Sequence, residues 1–329
     1  MSPLDLHIQY QSGENENWSG RNTDPKSGVQ YWYQAISPAS LTNTLSNADI
    51  GLIGYACDEG VQRNLGRIGA VNGPTVIKER LAKLAYHHFD KTITNFGDVA
   101  CIDHNLEACQ DAFAMIISKL LSNKIFPIGI GGGHDIAYAH FKGIHEFVKN
   151  QPKNRIGIIN FDAHFDLRPV RKNGNSGTPF NQILNEFDKV SYFALGIQKA
   201  SNTKELFDIA NTYNVQYAVS SECTVENITQ IKQRLENFLS TIDYLYITID
   251  LDGFSSAYAP GVSAPSPLGF DPNFVNSILK YLFKSKKVIS CDLAEMNAEY
   301  DLDSSTANLA ARLIDGIVGF VNKVRFHQH

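Results

Sequence analysis

Apolar residues fall into six nearly unbroken runs of strand length: IGLIGYA at 50–56, IFPIGIG at 125–131, RIGIINF at 155–161, KVSYFALGI at 189–197, DYLYITID at 243–250 and KKVISCDL at 286–293. A strand with one wet face alternates apolar and polar residues, so runs without alternation predict strands covered on both faces. Between them the helical period appears at 73–88, 105–124, 135–150, 202–214, 224–242, 272–285 and 305–324. The first of these carries Pro74 in its opening turn, where a missing N–H costs nothing. Strand alternating with helix predicts an α/β fold, a mainly parallel sheet between two helical layers in a three-layer α/β/α sandwich.

Residues 1–45 lack either period and are rich in polar and turn residues, most of all over 12–28. They are expected to form an irregular arm with one short helix. No linker or internal repeat divides 46–329, which reads as a single domain.

Composition narrows the function. Hydrophobic residues at 43% suffice for a sizeable core, and 29 basic against 34 acidic residues give a net charge of -5. No basic stripe is present to track phosphates, so nucleic acid is not an expected partner. No apolar run approaches the roughly 20 residues of a membrane helix, and the start of the chain has no apolar signal core. The five cysteines are scattered without a CxxC pair and read as reduced, mostly buried thiols. A cytoplasmic enzyme acting on a small molecule is the expectation.

The polar residues at the strand ends carry the chemistry. Ligands of parallel α/β sheets gather where the chain leaves the carboxyl ends of the strands. Three clusters stand at such ends: His134 after the glycines of GIGGGHD, then Asp162, His164 and Asp166 in NFDAHFD, then Asp250 and Asp252 in ITIDLDG. The last two are placed on one side of an extended segment by the alternation of side chains along a strand. Four carboxylates in one desolvated cleft repel each other unless cations hold them, and their charge balances two divalent ions. Oxygen donors with two imidazoles and no thiolate suit Mn²⁺ better than structural zinc. Two such ions sharing carboxylates activate one water near neutral pH.

Taken in order, GGGHD, NFDAHFD, IDLDGFSSAYAPGVSAP and DLAEMN resemble the ureohydrolases, the family of arginase and agmatinase, from about residue 50 to the C-terminus. The resemblance implies an arginase-like fold with two Mn²⁺ per subunit and assembly into a homo-oligomer. It implies that His134, Asp162, Asp166 and Asp250 hold one ion and Asp162, His164, Asp250 and Asp252 the other, with Asp162 and Asp250 bridging. It also implies that Glu295 hydrogen-bonds the planar nitrogen group of the substrate.

One position departs from the pattern. Ser176, in NSGTPFNQ, stands where arginase and agmatinase relatives carry a proton-shuttling histidine. The stretches SGTPF and EGVQRNLGRIGAVNGP look instead like the formimidoylglutamase branch. That branch hydrolyses a linear amidine, N-formimidoyl-L-glutamate, to L-glutamate and formamide, a step of histidine degradation. Asp166 is then the expected catalytic proton relay, beside Glu295. A substrate with two carboxylates calls for arginines, which grip carboxylates in two-pronged fashion. Arg63, Arg67, Arg168 and Arg171 are available, and Arg63 and Arg67 are preferred, with Ser176 and Glu295 completing the substrate-binding set. Asn202 is read as the cap of the following helix. Two alternatives stay open: a guanidine hydrolase such as agmatinase or guanidinobutyrase, and a metal-binding homologue without catalysis.

Overall fold

The computed structural model describes residues 9–13, 18–41 and 48–321. His327 and His329, read from sequence as a terminus able to catch stray metal, lie outside the described residues.

All six expected strands form, and four more join them in one sheet. In chain order these are β1 (Tyr10–Ser12), β2 (Ser37–Pro38), β3 (Ile50–Ala56), β4 (Ile93–Ala100), β5 (Phe126–Gly131), β6 (Ile156–Phe161), β7 (Val190–Ile197), β8 (Gln216–Val219), β9 (Tyr244–Asp250) and β10 (Val288–Ala294). The sheet order is β1-β4-β3-β5-β10-β9-β6-β7-β8, with β2 beside β4. Every pairing is parallel except that of β1 on β4.

Two separate cores explain the unbroken apolar runs. Along β9, Leu245, Ile247 and Ile249 pack on one face with helices 73–81, 228–240, 272–284 and 305–320, while Tyr246 packs on the other with helices 106–122, 136–148, 179–186 and 204–212. The side chains still alternate in direction, but both directions lead into a core.

Three expectations need correction. The arm holds the expected short helix, Trp32–Ala35, which buries Trp32 completely, but it also adds strands: Tyr10–Ser12 as an antiparallel edge strand and Ser37–Pro38 beside β4. Strand β4 went unread because Asn95, Gly97 and Asp98 interrupt its apolar pattern. The helix read over 73–88 stops at Leu81. The chain beyond it runs alongside the arm instead, where Leu84 and Ala82 carbonyls accept the backbone N–H groups of Trp32 and Tyr33.

Candidate metal centre

The centre lies over the carboxyl ends of β5, β10, β9 and β6, neighbours in the middle of the sheet. Here the connections leave the neighbours β9 and β6 in opposite directions, β9 leading back to β10 and β6 onward to β7, and such a switch opens a crevice for ligands. His134 reaches it through the glycine turn after β5. Gly132 donates its N–H to the Tyr55 carbonyl at 2.8 Å and Gly133 to the Cys57 carbonyl at 2.9 Å. A β-carbon on Gly132 would stand 1.8 Å from the Cys57 oxygen, so only glycine fits that approach.

Nδ1 of His134 lies 2.9 Å from Asp166 Oδ2, 3.1 Å from Asp250 Oδ2 and 3.2 Å from Asp162 Oδ2. Nδ1 of His164 lies 3.0 Å from Asp252 Oδ2 and 3.5 Å from Asp162 Oδ1. The six residues thus form two groups, His134, Asp162, Asp166 and Asp250 in one and Asp162, His164 and Asp252 in the other. Asp162 is common to both and offers one oxygen to each, as a bridging carboxylate must. Asp250 falls in the first group only, so the geometry brings a single shared carboxylate where two were expected.

A divalent cation fits this donor set. One ring N–H cannot satisfy three carboxylates at once, and Oδ1 of Asp252 is buried with no hydrogen-bond partner. Burial, then the neighbouring Asp252 and Asp162, pushes the Asp250 carboxyl well above its usual range. Burial and Asp162 push Asp166 up to about 6, and burial and Asp252 push Glu295 up to about 8. Asp162 goes the other way, because hydrogen bonds from His134 and His164 outweigh its burial. His164 is drawn up chiefly by Asp252, and His134 is drawn up by Asp250, Asp162 and Asp166 against its own burial. Such mutual repulsion is relieved by positive charge placed among the oxygens.

The backbone holds these groups under strain. Asp166 has φ 48° and Glu295 has φ 68°, left-handed conformations that carry a cost for non-glycine residues. Glu295 Oε1 accepts the backbone N–H of His134 at 2.9 Å, tying the end of β10 to the turn after β5. Asp252 arrives differently from the expectation: the strand ends at Asp250, and a 3-10 turn over Leu251–Gly253 carries Asp252 inward, its N–H held by Asp250 Oδ1 at 2.8 Å.

A cavity of about 320 Å³ opens above the centre, lined by His164, Asp166, Asp250, Asp252 and Glu295 below and by Asn64, Arg67, Arg168, Ser176, Asn202 and Ser263 around its walls. Arg63 is not among the lining residues. Its guanidinium is held by Glu59 at 2.9 Å and Glu107 at 2.7 Å. Arg168 takes its place at the cavity, with Nη1 donating to Asn64 Oδ1 at 2.7 Å, and the Asn64 amide donates to Ser176 Oγ at 3.1 Å. Arg67 is fixed by the carbonyls of Ser263 and Val262, both at 2.8 Å, and lies 4.2 Å over the Tyr300 ring. Arg171 is exposed and does not line the cavity.

Several residues that hold the ligands were not read from sequence. The Asn160 amide donates to Asp162 Oδ2 at 2.9 Å, and Thr248 Oγ1 lies 3.0 Å from His134 Nε2. Each stands two residues before an aspartate of the centre, as a lone polar side chain in an apolar strand, and that is the available signal. Asn202 is no helix cap. Its Oδ1 accepts the Phe165 N–H at 3.0 Å and its amide donates to the Ala163 carbonyl at 2.9 Å, so it pins the loop that carries His164 and Asp166.

Comparisons with known proteins point to one family. A sequence profile described as the arginase family matches residues 48–319. Formimidoylglutamase of Clostridium tetani is 38% identical over 332 residues, covering 97% of this chain and 98% of the relative. Formimidoylglutamase of Geobacillus kaustophilus is 40% identical over 307 residues, covering 92% and 94%. The crystal structure of formimidoylglutamase from Bacillus subtilis superposes with a TM-score of 0.81 at 21% identity, over 93% of this chain and 95% of that one. A Trypanosoma cruzi formiminoglutamase structure with Mn²⁺ gives a TM-score of 0.74 at 23% identity, over 83% and 93%. Among the described residues no helix is long and apolar enough to cross a membrane. With the profile spanning most of the chain and relatives matched over nearly their whole length, this chain belongs to the arginase family.

Proposed function

We propose that this chain hydrolyses N-formimidoyl-L-glutamate, with water, to L-glutamate and formamide, and that its cofactor is a pair of Mn²⁺ ions. One observation carries the reading: a single cavity has four of the six candidate donors, His164, Asp166, Asp250 and Asp252, with Glu295 as its floor and Arg67 and Arg168 in its walls. A metal centre that activates water therefore sits beneath two guanidinium groups suited to the two carboxylates of a glutamyl tail. The relatives matched over nearly their full length carry that activity in their names.

His134, Asp162, Asp166 and Asp250 would hold one ion, and Asp162, His164 and Asp252 the other. Bound there, the ions supply Lewis-acid activation of water near neutral pH. Glu295 has one oxygen committed to the His134 N–H and the other free to accept the amidine N–H of the substrate, which turns the planar carbon toward the metal centre. Asp166 lines the cavity and takes the proton that the attacking water gives up, then returns it to the departing glutamate nitrogen. Ser176 points its hydroxyl at Asn64. A hydroxyl does not exchange protons near neutral pH as an imidazole does, so the histidine route to guanidine hydrolysis lacks its shuttle.

The test is a product assay of the manganese-loaded protein on formimidoylglutamate, arginine, agmatine and guanidinobutyrate side by side. Formamide from the first alone is expected. Urea from any of the others overturns the substrate, and full activity after chelation overturns the metal.

A further inference from the structure

Three of the five cysteines, scattered in sequence, meet in the fold. Cys57 and Cys101 each lie one residue beyond the paired residues Ala56 of β3 and Ala100 of β4, and the Cys101 N–H continues the ladder to the Ala56 carbonyl at 3.1 Å. Adjacent strands run about 4.8 Å apart, inside the roughly 4.4–6.8 Å that separates the α-carbons of a disulfide. Tyr55 and Val99, two residues before each cysteine, face the same core, and Cys57 and Cys109 are buried in that core with Cys101 packed against it. Cys101 is partly exposed, whereas Cys57 and Cys109 are buried. The five are free and mostly buried, as expected, but their scatter along the sequence hides this meeting of three.

We propose that Cys101 is a hydroperoxide-reactive thiol that closes a reversible disulfide onto Cys57. In the first step the Cys101 sulfur attacks the O–O bond of the peroxide, giving a sulfenic acid while the leaving oxygen departs as water. In the second the Cys57 thiol attacks that sulfur, forming the S–S bond and releasing a second water. Two thiols are thereby oxidised and one peroxide is reduced.

The surroundings favour Cys101 as the attacking group. Side-chain hydrogen bonds from Cys109 and then Cys57 hold its thiol down to about 4. Burial and the other two sulfurs push Cys109 well above its ordinary range. Cys57 is pushed up to about 12, first by its contact with Cys101. The attacking sulfur is thus the accessible one, and a buried thiol stands beside it as resolving partner. The consequence reaches the metal centre through the backbone, since the Cys57 carbonyl holds the Gly133 N–H next to His134.

The experiment treats the full-length, manganese-loaded protein with hydrogen peroxide, blocks remaining thiols with N-ethylmaleimide and maps peptides by mass spectrometry. A Cys57–Cys101 cross-linked peptide that dithiothreitol reverses is expected, together with its absence in Cys101→Ser. In Cys57→Ala a sulfenic acid at Cys101, trapped by dimedone, should accumulate. Because peptide masses are read rather than turnover, the result does not depend on which substrate the enzyme uses. Cys101 left fully alkylatable after peroxide overturns the proposal, and so does a cross-link that joins Cys101 to Cys109 alone.

Discussion

The hydroxyl of Thr248 lies 3.0 Å from Nε2 of His134, at the ring nitrogen that the carboxylates do not reach. Thr248 is fully buried and sits two residues before Asp250 on β9. It fixes which nitrogen of His134 faces the metal donors, the task that a ligand histidine's outer partner commonly performs. Thr248→Val keeps the shape and removes that partner. Metal affinity is expected to fall about 10- to 100-fold with the fold retained. Titration of the metal-free protein with Mn²⁺ checks this, and an unchanged affinity would remove Thr248 from the account.

Arg168 and Arg63 separate a residue in the cavity wall from one held elsewhere. Loss of a charged hydrogen bond to a substrate carboxylate costs about 1.5–3 kcal/mol, or roughly 10- to 100-fold. Arg168→Ala should therefore raise KM for formimidoylglutamate by that factor, with a smaller effect on a neutral amidine that lacks the glutamyl tail. Arg63→Ala breaks the pairs with Glu59 and Glu107 outside the cavity. Its KM should stay within about twofold of the parent's, because Arg63 does not line the cavity. Equal effects from the two variants would reject this assignment.

Asp315 ties the N-terminal arm to the last helix. Its Oδ1 accepts the indole N–H of the buried Trp32 at 2.8 Å and lies 2.8 Å from His88 Nε2. Burial raises the Asp315 carboxyl, but His88 and Trp32 outweigh it and leave the group below its ordinary value. A carboxyl lowered in the folded state binds protons more weakly there than when unfolded. Its stabilising contribution is therefore complete above the unfolded pKa of about 3.9 and fades as pH falls through the folded value. Asp315→Asn should melt below the parent at neutral pH, and the gap should close in acid. A gap that is constant from neutral to acid pH would contradict the linkage.

A second charged cluster lies wholly inside the core. His140 Nδ1 is 2.6 Å from Asp292 Oδ2, the Tyr246 hydroxyl donates to the same oxygen at 2.5 Å, and His140 Nε2 contacts the Ser290 hydroxyl. Serine, histidine and aspartate in this order look like a nucleophile triad, yet all three are completely buried and none lines the cavity. The cluster clamps helix 136–148 onto β9 and β10 instead. Removing one member strands the others in a dry interior, so Asp292→Ala should cost about 3–5 kcal/mol in urea unfolding. A cost below about 0.5 kcal/mol would mean that the clamp contributes nothing measurable.

Sequence exposed the ligands more readily than what holds them. The six donors stood out because ionisable residues at the ends of apolar strands are costly there without a purpose. Asn160, Thr248 and Asn202 act through hydrogen bonds whose partners only the folded chain brings near, and a polar residue of that kind has many ordinary uses. Position favoured Arg63 over Arg168, the reverse of what lines the cavity, because the groups that take up Arg63, Glu59 one turn away and Glu107 on a helix distant in sequence, meet it only in the fold. The buried strands were legible from composition alone. Strand β4 was not, since Asn95 and Asp98 break its apolar run, and the partner of Asp98, Lys78 at 2.8 Å, is supplied only by the folded chain.

The order of the sheet also dictates when the enzyme can come into being. His134, Asp162, His164 and Asp166 belong to the first half or so of the polypeptide, but β5 and β6 are not neighbours, and β9 and β10 lie between them. Those two strands are translated last among the ten, and three strand spacings leave a gap of about 14 Å until they slot in. A nascent chain released before residue 294 therefore has no seam to close, and an ion arriving early cannot template the fold from the histidine-bearing segments alone. Assembly of the centre therefore waits on β10, whose last residue, Ala294, completes the four neighbouring strands beneath it.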